Sequence, residues 1–215
     1  MKVEIYSDVA CPWCYVGKRR FERALADFPQ ADSVEVVYRP YQLIPDKSEQ
    51  PEPHREYLTA RFGPQAEAMD ARLVELGRAE GLPFDFDTVL ENNTLLAHRL
   101  LRHALTAYGP AVQVALKDRL LTAHFAEGVD VGDRAALAAL AADAGLDRDR
   151  AAAFLASDED REEVLAEIDE ARALGITAVP AFVFEGRWAV QGGQDSSTFL
   201  RILEQVAQET GAAAG

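Results

Sequence analysis

The only two cysteines of the chain lie three positions apart near its N-terminus, in the stretch SDVACPWCYVG. They are Cys11 and Cys14, within a sequence of 215 residues. Residues three apart on a helix have Cβ atoms about 5–6 Å apart, which is close to the spacing that a disulfide requires. Two thiols at this spacing favour reversible thiol–disulfide chemistry.

The chemistry predicted for each cysteine depends on its position relative to a helix start. The preceding segment KVEIYSD alternates apolar and polar residues like a strand, and apolar residues at helical spacing follow the pair. Cys11 is therefore predicted at a helix N-terminus, where unpaired N–H groups and the helix dipole stabilise an anion. We expect the pKa of its thiol to lie below the free value of about 8.5, which makes Cys11 the nucleophile. Cys14, one turn inside, is expected to attack the mixed disulfide that Cys11 forms.

The two residues between the cysteines are expected to tune their redox properties. Pro12 suits the first helical turn, because the N–H group that proline lacks would have no partner there. Trp13 gives the reactive end of the helix an apolar shoulder.

Two other interpretations of the cysteine pair stay open. As half of a structural zinc site the pair needs two more ligands. The four histidines are scattered over different predicted helices, without zinc-finger spacing: His54, His98, His103 and His124. The second alternative is two packed, unreactive thiols. We favour redox chemistry and predict neither a metal nor a bound organic cofactor.

A second motif, GITAVPAFVF at residues 175–184, places Pro180 directly before a predicted strand. A proline at the start of an ordinary strand would account for it. Beside a Cys-x-x-Cys turn, however, a cis Val179–Pro180 bond would direct the Val179 backbone towards the sulfurs. An extended substrate could then pair with that backbone as an added strand. We therefore expect Val179 and Pro180 to bind substrate close to the cysteines.

Composition and charge narrow the class of protein. The chain has 36 acidic and 22 basic residues, a formal net charge of −14, which argues against nucleic-acid binding and against anionic membrane surfaces. The N-terminus lacks the apolar run of a secretory signal, and no stretch of about 18 apolar residues is present. We expect a cytoplasmic protein, in which a purely structural disulfide is disfavoured.

The predicted elements fall into three blocks. Residues 2–43 read as strand, helix and strand, the pattern of a parallel βαβ unit. Residues 54–175 contain amphipathic helices with Gly and Pro at their ends. AFVF and RWAV, separated by Glu185-Gly186, predict a β-hairpin, and a final helix follows. The simplest fold for this order is a split α/β domain with helices inserted between its halves.

The chain resembles the DsbA family of thioredoxin-fold proteins in three motifs that occur in order: the CPWC turn, the TAVPAF loop and VQGGQ. The stretches SDVACPWCYVGKRRFERAL, NNTLLAHRL and AHFAEGVDV make it more similar to the FrnE-like branch, the polyketide-biosynthesis dithiol–disulfide isomerase type. The resemblance covers about residues 1–210. It implies Cys11 as nucleophile, Cys14 as resolving thiol and Val179-Pro180 as a cis-proline loop.

The fold class implied is α/β, a thioredoxin-like fold with an inserted all-helical domain. We predict a discontinuous thioredoxin-like domain over residues 1–45 and 176–210. The inserted helical domain is expected over residues 46–175, and a disordered tail over residues 211–215.

The predicted activity is that of a protein-disulfide oxidoreductase or isomerase. Its expected partners are proteins or small molecules with thiols or disulfides, and a low-molecular-weight thiol. Periplasmic DsbA proteins have a signal peptide and usually Pro-His between the cysteines, and this chain has neither. Kappa-class glutathione transferases and 2-hydroxychromene-2-carboxylate isomerases share the helical insertion, typically with Ser where Cys11 stands. A glutathione-dependent transferase or isomerase of small molecules is therefore one alternative, and a non-catalytic holdase or scaffold is another.

Four further polar residues have open roles. Asn93 or Thr94 is expected to cap the following helix, and that helix start could also face the cysteines. His98 is expected to be packed or solvated rather than catalytic. Asp8, three residues before Cys11, is expected either to influence the thiols or to cap a turn.

Overall fold

The strands of the computed structural model, which describes residues 1–213, form two sheets. Their bounds are β1 Lys2–Ser7, β2 Glu35–Pro40, β3 Glu52–Pro53, β4 Leu90–Glu91, β5 Ala181–Phe184 and β6 Trp188–Gln191. The main sheet has the order β2–β1–β5–β6, in which β1 pairs parallel with β2 and antiparallel with β5. The parallel βαβ unit and the β5–β6 hairpin predicted from the sequence are both confirmed.

Nine α-helices accompany these strands within residues 1–213. They are α1 Pro12–Asp27, α2 His54–Phe62, α3 Ala66–Glu80, α4 Leu95–Tyr108, α5 Pro110–Glu127, α6 Arg134–Asp143, α7 Arg148–Ala156, α8 Arg161–Ala173 and α9 Ser196–Ala213. Helices α2 to α8 all lie between β2 and β5 in the chain. The element order is therefore that expected of a split α/β fold with a helical insertion.

An aromatic core holds α1 against the sheet. Phe21 of α1 is buried against Phe182 and Phe199, with ring centroids 5.3 Å and 5.5 Å apart. Val3 and Ile5, the alternating apolar residues of β1, are buried in the same cluster. Burying a side chain of this size contributes roughly 1.5–3 kcal/mol. The helix that begins at the cysteines is thus anchored on the sheet through its apolar face.

The inserted segment is tied to the sheet by an amide side chain. Gln113 of α5 accepts a hydrogen bond from the Tyr38 N–H through Oε1 (2.8 Å) and donates one to the Tyr38 carbonyl through Nε2 (2.9 Å). Tyr38 lies in β2, at one edge of the main sheet. Both backbone hydrogen-bonding groups of Tyr38 are therefore satisfied by a helix of the insertion.

Several boundaries differ from the sequence prediction. The helix predicted over residues 64–81 is α3, which follows a short 3₁₀ turn after α2. The insertion, predicted to be all-helical, also contains the antiparallel pair β3–β4. Each strand has two residues, too few to show an alternation of apolar and polar residues in the sequence. The hairpin loop includes Arg187 as well as Glu185-Gly186, because β6 begins at Trp188.

The final helix extends further than expected. It continues to Ala213, into the segment predicted as a tail from residue 211, because alanine has the highest helix propensity. The remainder of that predicted tail, residues 214 and 215, lies outside the described residues.

A buried histidine joins three pieces of the insertion. His54 Nδ1 is 2.7 Å from Glu91 Oε1, and its Nε2 is 3.1 Å from Asp70 Oδ1. The ring stacks on Phe86 with centroids 4.8 Å apart. Burial opposes protonation of His54, but hydrogen bonds to Glu91 and Asp70 outweigh it and raise its pKa. The imidazolium therefore links α2, α3 and β4.

We expect His54→Gln to lower the free energy of unfolding by about 2 kcal/mol at low pH, since hydrogen bonds to charged groups contribute roughly 1.5–3 kcal/mol. The contribution of His54 is fully present below its unfolded pKa of about 6.5 and is lost as the pH rises through the raised folded-state value. Urea titrations of both proteins at about pH 5.5 and pH 8.5 measure this. A stability difference independent of pH would contradict the imidazolium assignment.

Candidate active site

The cysteine pair lies at the start of α1. Cys11 occupies the N-cap position with an extended backbone (φ −97°, ψ 110°), Pro12 is the first helical residue, and Cys14 lies in the first turn. Both cysteines are free thiols with side chains 4% and 2% exposed, whereas Trp13 between them is 47% exposed. Cys11 therefore lies at the helix start that the sequence predicts, beside an apolar surface.

The structure brings the Val179–Pro180 loop to this turn. The Val179–Pro180 peptide bond is cis, as expected. The Cys11 thiol donates to the Val179 carbonyl oxygen, with 3.7 Å between sulfur and oxygen, although the two residues are 168 positions apart. The next residue, Pro180, is also fixed in place, because its carbonyl accepts a hydrogen bond from the Gly192 N–H (2.7 Å). Two motifs distant in sequence thus form one site.

Two glycines allow this close approach. A Cβ added to Gly17 of α1 would lie 2.9 Å from Pro180 Cγ and 3.2 Å from Gly193 Cα. A Cβ on Gly193, in the VQGGQ motif, would lie 3.2 Å from Gly17 Cα. Arg20 Nη1 also donates to the Gly193 carbonyl over 2.7 Å. The helix and the loop are therefore in backbone contact, a role of Gly17 that the sequence analysis missed.

A buried carboxylate lies behind the cysteine turn. Asp8 accepts a hydrogen bond from the Leu43 N–H through Oδ2 (2.8 Å), and its Oδ1 is 3.2 Å from His98 Nε2. Burial raises the pKa of Asp8, but the His98 hydrogen bond and charge outweigh it, so that the net shift is downward. Asp8 therefore connects the cysteine turn to the loop after β2 and to α4. His98, left without a role in the sequence analysis, is its partner.

The start of α4 is capped by Asn93. Its Oδ1 accepts from the Leu95 N–H over 2.9 Å, whereas the Thr94 side chain makes no capping bond. Asn93 Oδ1 also accepts from Gln42 Nε2 over 2.9 Å. Asn92 instead donates to Asp130. Of the two predicted caps, Asn93 is the one used.

The electrostatics of the sulfurs differ from the sequence prediction. The hydrogen bond with Cys14, then burial, raise the pKa of Cys11 well above its usual value. Burial opposes ionisation of Cys14, but the hydrogen bond from Cys11 and the charge of Lys117 lower its pKa. The prediction of a lowered Cys11 pKa is therefore wrong for the dithiol in this conformation. The helix N-terminus was its only basis, and Lys117 lies more than 100 positions away in the chain.

Residues 1–213 contain neither a candidate metal cluster nor a candidate membrane span. No group of three or more His, Cys, Asp or Glu side chains in this range has an arrangement suited to a metal ion. No helix in the same range combines the length and apolarity needed to cross a bilayer.

Comparison with known proteins identifies similar chains. A family model described as a DSBA-like thioredoxin domain matches residues 2–204. The crystal structure of a probable DsbA oxidoreductase from Streptomyces coelicolor is 40% identical, with a TM-score of 0.89 over 97% of this chain and 91% of that one. An uncharacterized protein of Bacillus subtilis, YwbO, is 28% identical over 211 residues, 94% of each chain.

A more distant structure shares the fold. The cytosolic disulfide reductase DsbM from Pseudomonas aeruginosa, solved with GSH, is 20% identical, with a TM-score of 0.69 over 97% of this chain and 100% of that one. All of these similarities extend over both the sheet and the helical insertion.

Proposed function

The chain belongs to the DSBA-like thioredoxin domain family, and on that premise we propose that it is a thiol–disulfide oxidoreductase or isomerase acting through Cys11 and Cys14. The observation that carries this proposal is the contact between the Cys11 thiol and the Val179 carbonyl. It places one sulfur beside a backbone segment that an extended substrate could pair with, while the other lies one turn inside the helix.

The proposed reaction consists of two displacements. The reacting form is the singly ionised pair, in which Cys14 carries the thiolate; Cys11 passes its proton to that thiolate, and Cys11 Sγ then attacks one sulfur of a substrate disulfide. The substrate S–S bond breaks, and the departing thiolate takes a proton from water. Cys14, after losing its proton, then attacks Cys11 Sγ in the mixed disulfide. The second substrate thiol leaves, so the substrate gains two electrons and the protein forms the Cys11–Cys14 disulfide.

The same steps in reverse oxidise a dithiol, and isomerisation begins and ends with the protein reduced. We assign the exposed Trp13 and the Val179–Pro180 loop to the substrate side of the site. No metal or organic cofactor takes part in this scheme, because the electrons reside in the two sulfurs. Substrates are proteins or small molecules with thiols or disulfides, and a low-molecular-weight thiol is the expected reductant.

Three finer assignments belong to this proposal. We place the protein in the FrnE-like branch and in the cytoplasm, with residues 46–175 as a domain inserted into the thioredoxin-like one. In a cytosol whose glutathione pool has a reduction potential below about −220 mV, a strongly oxidising cysteine pair stays reduced. This favours reductase or isomerase activity.

Insulin reduction by dithiothreitol or glutathione tests the function. We expect wild type to accelerate precipitation of the insulin B chain, and the Cys11→Ala/Cys14→Ala variant to return the rate to background. A thiol-dependent transferase would retain small-molecule activity with Cys14→Ala alone. A holdase would suppress aggregation of an unfolded protein equally well without either cysteine, and that result with no insulin reduction by wild type would overturn the proposal.

A further inference from the structure

The most unusual buried charge in the molecule is Lys117 of α5. Its side chain is 0% exposed, and Nζ has no hydrogen-bond partner among the residues that the structure describes. Burying an ammonium group without a partner is costly, so that a nearby negative charge is expected to compensate it. The group lies 5.6 Å from the centre of the Tyr38 ring, behind β2.

Lys117 lines a small cavity between the sheet and the helical insertion. The cavity has a volume of about 10 Å³, at the lower limit of the space that can hold one water molecule. Ser7 and His98 line the same cavity. Ser7 also helps to lower the Cys14 pKa, while His98 contacts Asp8. Lys117 therefore shares its cavity with the direct neighbours of Cys14 and of Asp8.

The charges that face Lys117 come from several elements. Burial lowers the pKa of Lys117, Cys14, Asp8 and Cys11 act against this as negative groups, and Lys18 of α1 repels the ammonium. Arg39, Arg102 and Glu167 also line the cavity. Asp8 is already held by Leu43 and His98. The negative charge left for Lys117 to compensate is the one that appears on the sulfurs when the disulfide is reduced.

We propose that Lys117 is a positioning residue that stabilises the Cys14 thiolate, so that the inserted helical segment supplies the counter-charge of the redox pair. This inference rests on the proposed function. In the mixed disulfide, Cys14 gives its proton to water, and the thiolate beside Lys117 attacks Cys11 Sγ. The bond from Cys11 to the substrate breaks, the substrate thiolate leaves and is protonated, and the protein disulfide forms. In the oxidising direction Lys117 stabilises Cys14 as the leaving group.

The test is Lys117→Met, which keeps most of the stem volume and removes the charge. In a Cys11→Ser background, thiolate absorbance against pH reports the ionisation of Cys14 without any substrate. An opposite charge at close range shifts a pKa by 1–3 units, so that we expect the thiolate fraction at neutral pH to fall about tenfold. At a pH above the Cys14 pKa of both proteins, the equilibrium with glutathione should move about tenfold against the reduced form, or about 30 mV lower in potential.

Kinetics give a readout that a packing defect would not produce. The attacking thiolate becomes more nucleophilic as its pKa rises, with a Brønsted coefficient of about 0.4–0.5. Resolution of a glutathione mixed disulfide should therefore slow by only about threefold to fourfold at neutral pH. Above the pKa of the variant it should become faster than wild type. The two pH–rate curves are expected to cross.

The control is Leu101→Met, which alters the lining of the same cavity without removing a charge. It should leave the Cys14 titration unchanged, and if Lys117→Met does not fold, Lys117→Gln takes its place. A folded variant with an unchanged Cys14 titration and superimposable pH–rate curves would overturn the role of Lys117. Because the titration needs no substrate, its result is separate from the insulin assay that tests the proposed function.

Discussion

Cys14→Ser is expected to accumulate mixed disulfides through Cys11, whereas Cys11→Ser should accumulate few. Cys11 lies beside the Val179 carbonyl on the substrate side, and removal of Cys14 takes away the internal thiol that resolves the intermediate. An internal nucleophile has an effective molarity far above any cellular thiol concentration, so that its loss should lengthen the life of the intermediate at least a hundredfold. Incubation with oxidised glutathione, followed by intact-protein mass spectrometry, measures the adduct directly.

The matched control is the double variant Cys11→Ser/Cys14→Ser, which should form no adduct. Reduction with dithiothreitol should release every adduct that forms on Cys14→Ser. Equal trapping by the two single variants would show that the sulfurs do not have distinct roles. Trapping by Cys11→Ser alone would reverse them, with Cys14 as the attacking thiol.

Gly17→Ala is expected to lower the free energy of unfolding by about 1–2 kcal/mol. It should also lower the rate of thiol–disulfide exchange by about a hundredfold. The added methyl would lie 2.9 Å from Pro180 Cγ and 3.2 Å from Gly193 Cα, so that the helix and the loop must separate. Overpacking of this kind typically costs about 1–3 kcal/mol, while alanine recovers up to about 1 kcal/mol of helix propensity. A displacement of 1 Å at a reacting centre can cost about 10²-fold in rate.

Gly211→Ala in α9 is the matched control, because a Cβ there meets nothing within 4 Å. It should raise stability by no more than roughly 0.5–1 kcal/mol, the helix-interior value, because Gly211 lies in the last turn of α9. Urea denaturation and the insulin assay, applied to both variants, separate the effect of the clash with Pro180 and Gly193 from the effect of helix propensity. Normal exchange by a stable Gly17→Ala protein would show that backbone contact between α1 and the loop is unimportant.

The parts of this fold that the sequence predicts are those encoded locally. Alternating Val3 and Ile5 predict β1, and Pro12 marks the start of the helix that follows the cysteine turn. The Val179–Pro180 loop was expected beside the cysteines only because the βαβ and ββα blocks must share one sheet. That contact is long-range, yet it follows from element order.

The buried charges could not be predicted in the same way. His98 and Lys117 reach the cysteine turn through the packing of α4 and α5, which no local pattern specifies. One signal was present in the sequence, since Lys117 falls on the apolar stripe that also contains Leu116 and Leu120. A charged residue in such a stripe calls for a partner elsewhere in the fold. The Cys11 pKa was predicted in the wrong direction because the helix start alone shows neither the interaction with Cys14 nor the burial of the pair.

The hydrogen bonds of the Gln113 amide also affect whether two molecules of this protein can pair through the edges of their sheets. An edge strand offers free N–H and C=O groups to any other chain, and such edges nucleate aggregation and domain swapping. At Tyr38 both groups are already engaged by Gln113, so that a foreign strand cannot continue the ladder past this point of β2. The insertion thus shields one border of the sheet from intermolecular pairing, at the cost of a single side chain.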